Sequence, residues 1–184
     1  TFLGIAGKIS HNDINEDFIK GSELVFFEGY LWDEGEPKKA FDKALALTNK
    51  SAMSLSDKFC VERHKKSFLD LVQNKLDIIF TNEQEIMELI NAKTFDEVIK
   101  FGDKLNKLLI ITRSDKGSIA VSGSSITECE GQKNLKIVDL TGAGDLFASG
   151  YLHGYLNNLT INESLKKGTE MSSKIIQKIG ARLD

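Results

Sequence analysis

The residues with the clearest chemical potential lie between positions 139 and 145, where the sequence reads Asp-Leu-Thr-Gly-Ala-Gly-Asp. The amides of Gly142, Ala143 and Gly144 are not shielded by bulky side chains, so a ligand can approach them closely. They lie at the start of a predicted helix, whose first turn favours negative charge. Asp145 follows, where it could accept a proton from a hydroxyl held beside those amides. The segment therefore predicts a site for proton removal and for stabilising a phosphoryl group in transfer.

Other interpretations of this segment can be weighed on the residues alone. In a plain strand–helix turn, Asp145 would only complement the helix dipole, and this interpretation stays open. A dinucleotide-binding GxGxxG loop is disfavoured, because Phe147 occupies the place of the third glycine. A Walker A loop is also disfavoured, because the sequence contains no Gly-Lys-Ser or Gly-Lys-Thr.

A second polar pair, Asn82 and Glu85, directly follows an apolar run. Asn at a helix N-cap with Glu three residues later is typical of a capping box, which needs no metal. The same oxygens could also serve Mg²⁺, a hard cation that prefers oxygen ligands and keeps several waters. Spacing alone favours the capping box, but the two interpretations are compatible.

The elements that must position these residues alternate along the chain. Apolar runs predict strands at 24–27, 52–55, 76–80 and 108–111, and shorter ones at 118–121, 126–129 and 136–138. Helical spacing predicts a helix opening at Pro37 and others at 94–105, 143–157 and 161–179. This alternation predicts an α/β fold, with a mainly parallel sheet covered on both faces and a ligand at the carboxyl ends of its strands.

Two details refine that expectation. Gly150 and Gly154 each weaken the helix at 143–157 by about 1 kcal/mol, and close packing against the sheet would compensate for this. Glu28 and Tyr30 follow one predicted strand and Ser56 follows the next. These positions suit the lining of a pocket, although ordinary loop capping is at least as frequent at such places.

Composition limits the classes of protein to be considered. The chain has 184 residues, a net charge of −3 and 41% hydrophobic residues, which is typical of one globular domain. This charge predicts neither a nucleic-acid nor an acidic-membrane partner. Cys60 and Cys129 match no metal or redox spacing, and no apolar run is long enough to span a bilayer. We therefore expect a cytoplasmic location. The strand-like opening without Met leads us to expect a fragment of a longer chain.

Residues 139–145 resemble the signature of the PfkB, or ribokinase-like, carbohydrate and nucleoside kinases. Asn82-Glu83-Gln84-Glu85 resembles the family's NxxE element, and Gly180-Ala181-Arg182 its Gly-Ala close. The runs 28–33 and 55–64 look similar to bacterial adenosine-kinase-like members. The resemblance implies a single three-layer α/β/α ribokinase-like domain over residues 1–184 that lacks its N-terminal part. Residues 1–10 would then be partial strands of a small β lid.

The resemblance also implies roles for individual residues. Asp145 would be the catalytic base, and the amides of residues 142–144 would form the anion hole. Binding of ATP would involve Thr112, Gly117 and Thr141, although Ser114 stands where the family's TxGxxG turn has its first glycine. Mg²⁺ would be organised by Asn82 and Glu85, partly through water, and K⁺ would lie near Asp139.

The implied activity is ATP-dependent phosphorylation of a hydroxymethyl group of a sugar or nucleoside, with adenosine as the leading guess. The implied cofactors are ATP and Mg²⁺, with K⁺ as a further candidate. The expected partners are a small-molecule acceptor and a second copy bound through the lid. The alternative is a non-catalytic nucleotide- or sugar-binding module on the same fold. Asp145 argues against that alternative, because binding alone needs no base.

Overall fold

The computed structural model describes residues 4–32 and 35–183. Its strands are β1 (Val25–Glu28), β2 (Ser51–Ser54), β3 (Ile78–Asn82), β4 (Leu108–Thr112), β5 (Ser118–Ser122) and β6 (Ser125–Cys129). Its α-helices are α1 (Glu16–Gly21), α2 (Glu36–Leu47), α3 (Lys58–Asn74), α4 (Glu83–Ile90), α5 (Phe95–Leu105), α6 (Ala143–Leu156) and α7 (Ile161–Ile175). Short 3₁₀ helices cover Gly4–Lys8, His11–Asp13, Gly29–Trp32 and Ser114–Lys116.

The six strands form one sheet in sequence order, from β1 at one edge to β6 at the other. Strands β1 to β4 are parallel, and β4, β5 and β6 pair in antiparallel fashion. The parallel strands are continuous apolar runs because both of their faces are covered. The prediction of an α/β fold with a mainly parallel sheet is confirmed.

Neighbouring residues on each central strand point to opposite faces of the sheet, as strand geometry requires. On one face, Ile79 and Ile111 belong to the apolar core formed with α2, α3, α4 and α5. On the other face, Ile78 and Ile110 pack with Tyr151 and other residues of α6 and α7. The sheet is therefore held between two helical layers, and its strand ends are left as the natural place for a site.

Three glycines allow α6 and α7 to lie very close together. A Cβ atom at Gly150 would lie 2.6 Å from the carbonyl oxygen of Lys167, and one at Gly154 would lie 2.9 Å from Ser164 Oγ. A Cβ at Gly168 would lie 2.8 Å from the carbonyl oxygen of Phe147. The prediction that Gly150 and Gly154 serve helix–sheet packing was wrong, since they serve the contact between two helices.

Two predicted elements differ in the structure. Residues 136–138 form no strand; instead the N–H groups of Val138 and Asp139 both donate to the carbonyl of Ile176, at 2.8 and 3.3 Å. This segment thus satisfies its backbone at the end of α7 rather than at the sheet edge. Helix α7 ends at Ile175 instead of 179, and the carbonyl of the next residue, Ile176, is the one that this segment engages.

The expected lid strands fall partly on residues 1–3, which lie outside the described residues. The next residues, Gly4–Lys8, form a 3₁₀ helix rather than a strand. A 3₁₀ turn satisfies backbone groups locally, whereas a strand needs a neighbour to pair with. Within the ranges 4–32 and 35–183, no helix is long and apolar enough to cross a membrane.

Candidate active site

A pocket of about 390 Å³ lies at the carboxyl ends of the parallel strands. Tyr30 and Ser56 line it after β1 and β2, Asn82 and Thr112 line it at the ends of β3 and β4, and residues 140–145 close it from the side of α6. Parallel strands bring their carboxyl ends to one edge of the sheet, which explains why segments distant in sequence meet here.

Most of the predicted site residues lie together in this pocket. Its lining includes Asn82, Glu85, Thr112, Thr141, Gly142, Ala143, Gly144 and Asp145. Gly117 and Asp139 are not part of the lining, although both shape loops beside it. Tyr30 and Ser56, which the sequence placed only as lining candidates, are also present.

The loop before α6 is fastened by Asp139. Its Oδ1 accepts hydrogen bonds from the N–H and the hydroxyl of Thr141, at 2.9 and 2.7 Å. Its Oδ2 accepts one from the N–H of Gly180 at 2.9 Å. The bonds from Gly180 and Thr141 lower the pKa of this carboxyl. Asp139 therefore holds the loop to the turn after α7, and a cation contact at this residue stays a prediction.

Gly142 is the N-cap of α6, and its φ of 78° lies in the left-handed region. A Cβ atom there would lie 2.8 Å from the Cβ of Ala181, so the turn also needs glycine for space. At Gly144, by contrast, a Cβ would meet no atom within 4 Å, which leaves this face of the helix open.

The first amides of α6 have no carbonyl partner inside the helix. The N–H of Ala143 donates to the carbonyl of Leu140 at 3.2 Å, so one of the predicted anion-hole donors is engaged in the turn. Asp145 lies in the first turn of the same helix and is exposed within the pocket lining. A carboxylate and a helix N-terminus therefore lie at the same pocket.

Glu28, the last residue of β1, has a pKa that is affected by the charge of Asp145. Burial raises the pKa of Glu28 to about 7, and the charge of Asp145 contributes to this rise. The hydroxyl of Ser56 donates to Glu28 Oε2 at 3.1 Å, and this hydrogen bond lowers the pKa of Glu28. The sequence offered Glu28 only as a candidate for the pocket lining, of which it is not part, and did not predict its altered ionisation.

Asn82 and Glu85 form the capping box expected from their spacing. Asn82 Oδ1 accepts the N–H of Glu85 at 2.9 Å, and Glu85 Oε2 accepts the N–H of Asn82 at 2.9 Å. Glu85 is only 5% exposed, and burial raises its pKa. Among the described residues, no group of three or more His, Cys, Asp or Glu side chains is arranged to hold a metal. An Mg²⁺ contact at this pair therefore stays a prediction.

The loop after β4 adopts its turn without the expected first glycine. Ser114 takes a left-handed φ of 53°, and Gly117 has a φ of 91°. The N–H of Arg113 donates to the carbonyl of Gly117 at 2.8 Å and closes the turn. The guanidinium of Arg113 lies 3.7 Å from the ring centre of Phe95. Serine at position 114, where the family's turn has glycine, thus adopts a strained but permitted backbone conformation.

Comparison with known proteins points to one family. A family model described as "pfkB family carbohydrate kinase" matches residues 3–184. A ribokinase from Lactococcus lactis is 33% identical over 97% of this chain. The crystal structure of adenosine kinase from Sinorhizobium meliloti superposes with a TM-score of 0.92 at 34% identity, over 96% of this chain. A probable sugar kinase from Rhizobium etli gives a TM-score of 0.91 at 33% identity, over 96% of this chain.

These relatives are longer than the chain described here. The chain spans 62% of the Lactococcus ribokinase. It spans 56% of the Sinorhizobium adenosine kinase and 55% of the Rhizobium protein.

Proposed function

The chain belongs to the pfkB family of carbohydrate kinases, and on that premise we propose that its protein phosphorylates a hydroxymethyl group of a sugar or nucleoside with ATP. The observation that carries the proposal is the position of Asp145. This carboxylate lies in the first turn of α6, in the pocket lining, directly after the amides of residues 142–144. A carboxylate beside a helix N-terminus supplies a proton acceptor and a cradle for an anion in one place.

The residues of the chain fit the group that would be transferred. Gly144 leaves open space where a side chain would stand, so a phosphoryl group can reach the start of α6. Bound ATP supplies that group, and Mg²⁺ neutralises part of its charge. Asp145 takes the proton of the acceptor hydroxyl, and the amides of residues 142–144 stabilise negative charge on the phosphoryl oxygens, for which the N–H of Ala143 must exchange its bond to the Leu140 carbonyl for one to the phosphoryl group.

The other side of the pocket would hold the acceptor. Tyr30 and Ser56 line the pocket from the ends of β1 and β2, away from the loop after β4. The relatives bear the names of a ribokinase and an adenosine kinase, and the 33–34% identity to each supports both a pentose and a nucleoside. Adenosine is our leading candidate because the runs 28–33 and 55–64 resemble adenosine-kinase-like proteins.

Further expectations stay predictions. They are Mg²⁺ organised by Asn82 and Glu85, ATP bound by Thr112, Gly117 and Thr141, K⁺ near Asp139, a dimer formed through the lid and a cytoplasmic location. The capping box, the fastened loop at Asp139 and the strained turn at Ser114 are compatible with these roles.

The proposal is tested with Asp145→Asn in the complete protein. We expect turnover of ATP with adenosine or ribose to fall by about 10²–10⁴, because the base is lost while the shape is kept. Binding of ATP, measured by calorimetry, should change little. Asp103→Asn is the matched control, because Asp103 is exposed on α5 and outside the pocket lining. Near-normal turnover in Asp145→Asn would refute the assignment. Nucleotide binding without turnover in the unmodified protein would instead favour a binding module.

A further inference from the structure

Ser56 has a backbone conformation that serine adopts rarely. Its φ is 73°, in the left-handed region. Within the described ranges, the other non-glycine residues with positive φ are Ser114 and the asparagines at 91, 106, 134 and 158. Asparagine tolerates this region, whereas serine is strained in it. Strain of this kind is often kept where a side chain must point in one direction.

The hydroxyl of Ser56 joins the ends of two strands. It donates to Glu28 Oε2 at 3.1 Å and accepts the N–H of Tyr30 at 3.2 Å. A hydroxyl has one proton to donate, so the 3.4 Å contact with the carbonyl of Ser54 competes with the bond to Glu28. Gly29 allows the approach, because a Cβ there would lie 3.0 Å from Ser56 Oγ.

One of the two groups held by Ser56 lies in the same pocket as the proposed base. Tyr30 lines the same pocket as Asp145. Glu28 is close enough to Asp145 for the charge of Asp145 to affect its ionisation. Ser56 itself lines the pocket and touches neither the amides of α6 nor the loop after β4 in any of its hydrogen bonds.

From this geometry we infer that Ser56 is a positioning residue, which ties Tyr30 to Glu28 at the end of β1 and so fixes Tyr30 in the acceptor-side wall of the pocket that Asp145 also lines. The inference rests on the proposed kinase function for its consequence in catalysis. Its structural content, that one hydroxyl orders this wall, stands on the contacts alone. The hydroxyl should therefore matter for the KM of the acceptor and not for the KM of ATP.

The test compares Ser56→Ala with Ser56→Gly in the complete protein. Both variants lose the hydroxyl, but only glycine relieves the strained backbone. We expect the acceptor KM to rise about five- to tenfold in both, because each loses the hydrogen bonds. The KM for ATP should stay within about twofold. Amide hydrogen exchange at Tyr30 should become about five- to tenfold faster in both variants.

Asn158→Ala and Asn158→Gly form the control pair. Asn158 is exposed in the loop between α6 and α7 and has a φ of 60°. In both pairs the glycine variant should melt at a higher temperature than the alanine variant, because glycine relieves the left-handed backbone. In the Asn158 pair, neither the acceptor KM nor the ATP KM should change. The inference is overturned if Ser56→Gly keeps the normal acceptor KM, or if Tyr30 exchange is unchanged in both Ser56 variants. Absence of turnover in the unmodified protein would refute the kinase proposal, while Tyr30 exchange would still decide the role of Ser56.

Discussion

Replacing Glu28 by glutamine should make the protein more stable at neutral pH, although the change removes a hydrogen-bonded carboxylate. In the folded chain, burial and the nearby charge of Asp145 raise the pKa of Glu28 from 4.5 to about 7. Glutamine has nearly the same shape and can still accept the hydroxyl of Ser56. It carries no charge whose burial must be tolerated.

The size and sign of the effect follow from the two pKa values. Below pH 4.5, Glu28 is neutral in both the folded and the unfolded chain, so its ionisation has no effect on stability. Between pH 4.5 and 7 the unfolded chain releases the proton while the folded chain keeps it, so the free energy of unfolding falls as pH rises. Each pH unit in this interval costs about 1.4 kcal/mol, so the total is about 3 kcal/mol. Above pH 7 the penalty is constant.

The assay is urea unfolding of both proteins at several pH values from 4 to 8. The stability difference in favour of Glu28→Gln should grow by about 3 kcal/mol between pH 4.5 and 7 and then level off. Glu36→Gln is the control, because hydrogen bonds from Lys39 and His11 lower the pKa of Glu36 to about 2. Its difference from the unmodified protein should change only below pH 4.5 and in the opposite direction. A flat difference for Glu28→Gln would refute the claim that this carboxyl is buried beside Asp145.

Glu85→Gln should raise the Mg²⁺ concentration needed for half-maximal turnover more than it lowers the melting temperature; a large loss of stability with an unchanged Mg²⁺ midpoint would mean that the residue only caps α4. Gly150→Ala should destabilise the protein by about 1–3 kcal/mol, because its Cβ would lie 2.6 Å from the carbonyl of Lys167. Gly144→Ala should fold with equal or slightly higher stability, since its Cβ meets nothing within 4 Å. It should nevertheless lower turnover by narrowing the anion hole; thermal melts and ATP consumption separate these outcomes.

The mainly parallel sheet could be predicted from the sequence because the strands are continuous apolar runs that alternate with helices, as at Ile78–Phe80. The gathering of Asn82 and Thr112 at one edge followed from that arrangement, since each ends a strand that the structure contains. Asp145 lies at the same edge although the strand predicted before it does not form. Residues 136–138 also look like a strand, but their backbone instead bonds to the carbonyl of Ile176, far along the chain. No local pattern reports such a long-range partner.

The same limit explains why the sequence did not reveal the altered ionisation of Glu28 or the packing partner of Gly150. The pKa of Glu28 depends on burial, on the charge of Asp145 and on the hydroxyl of Ser56, all of which act only in the folded chain. The sequence showed that Gly150 needs a close neighbour, but not whether a strand or a second helix supplies it. Periodicity predicts which face is buried, whereas the identity of the partner requires the tertiary structure.

The close approach of Gly142 to Ala181 joins the loop before α6 to the turn after α7. A side chain at position 142 would collide with Ala181, so the left-handed turn there needs glycine for space as well as for its φ. The bond from the N–H of Gly180 to Asp139 fixes the same two segments together. A displacement of the turn after α7 would therefore be passed directly to the loop before α6. A mutant library aimed at either segment should vary both together.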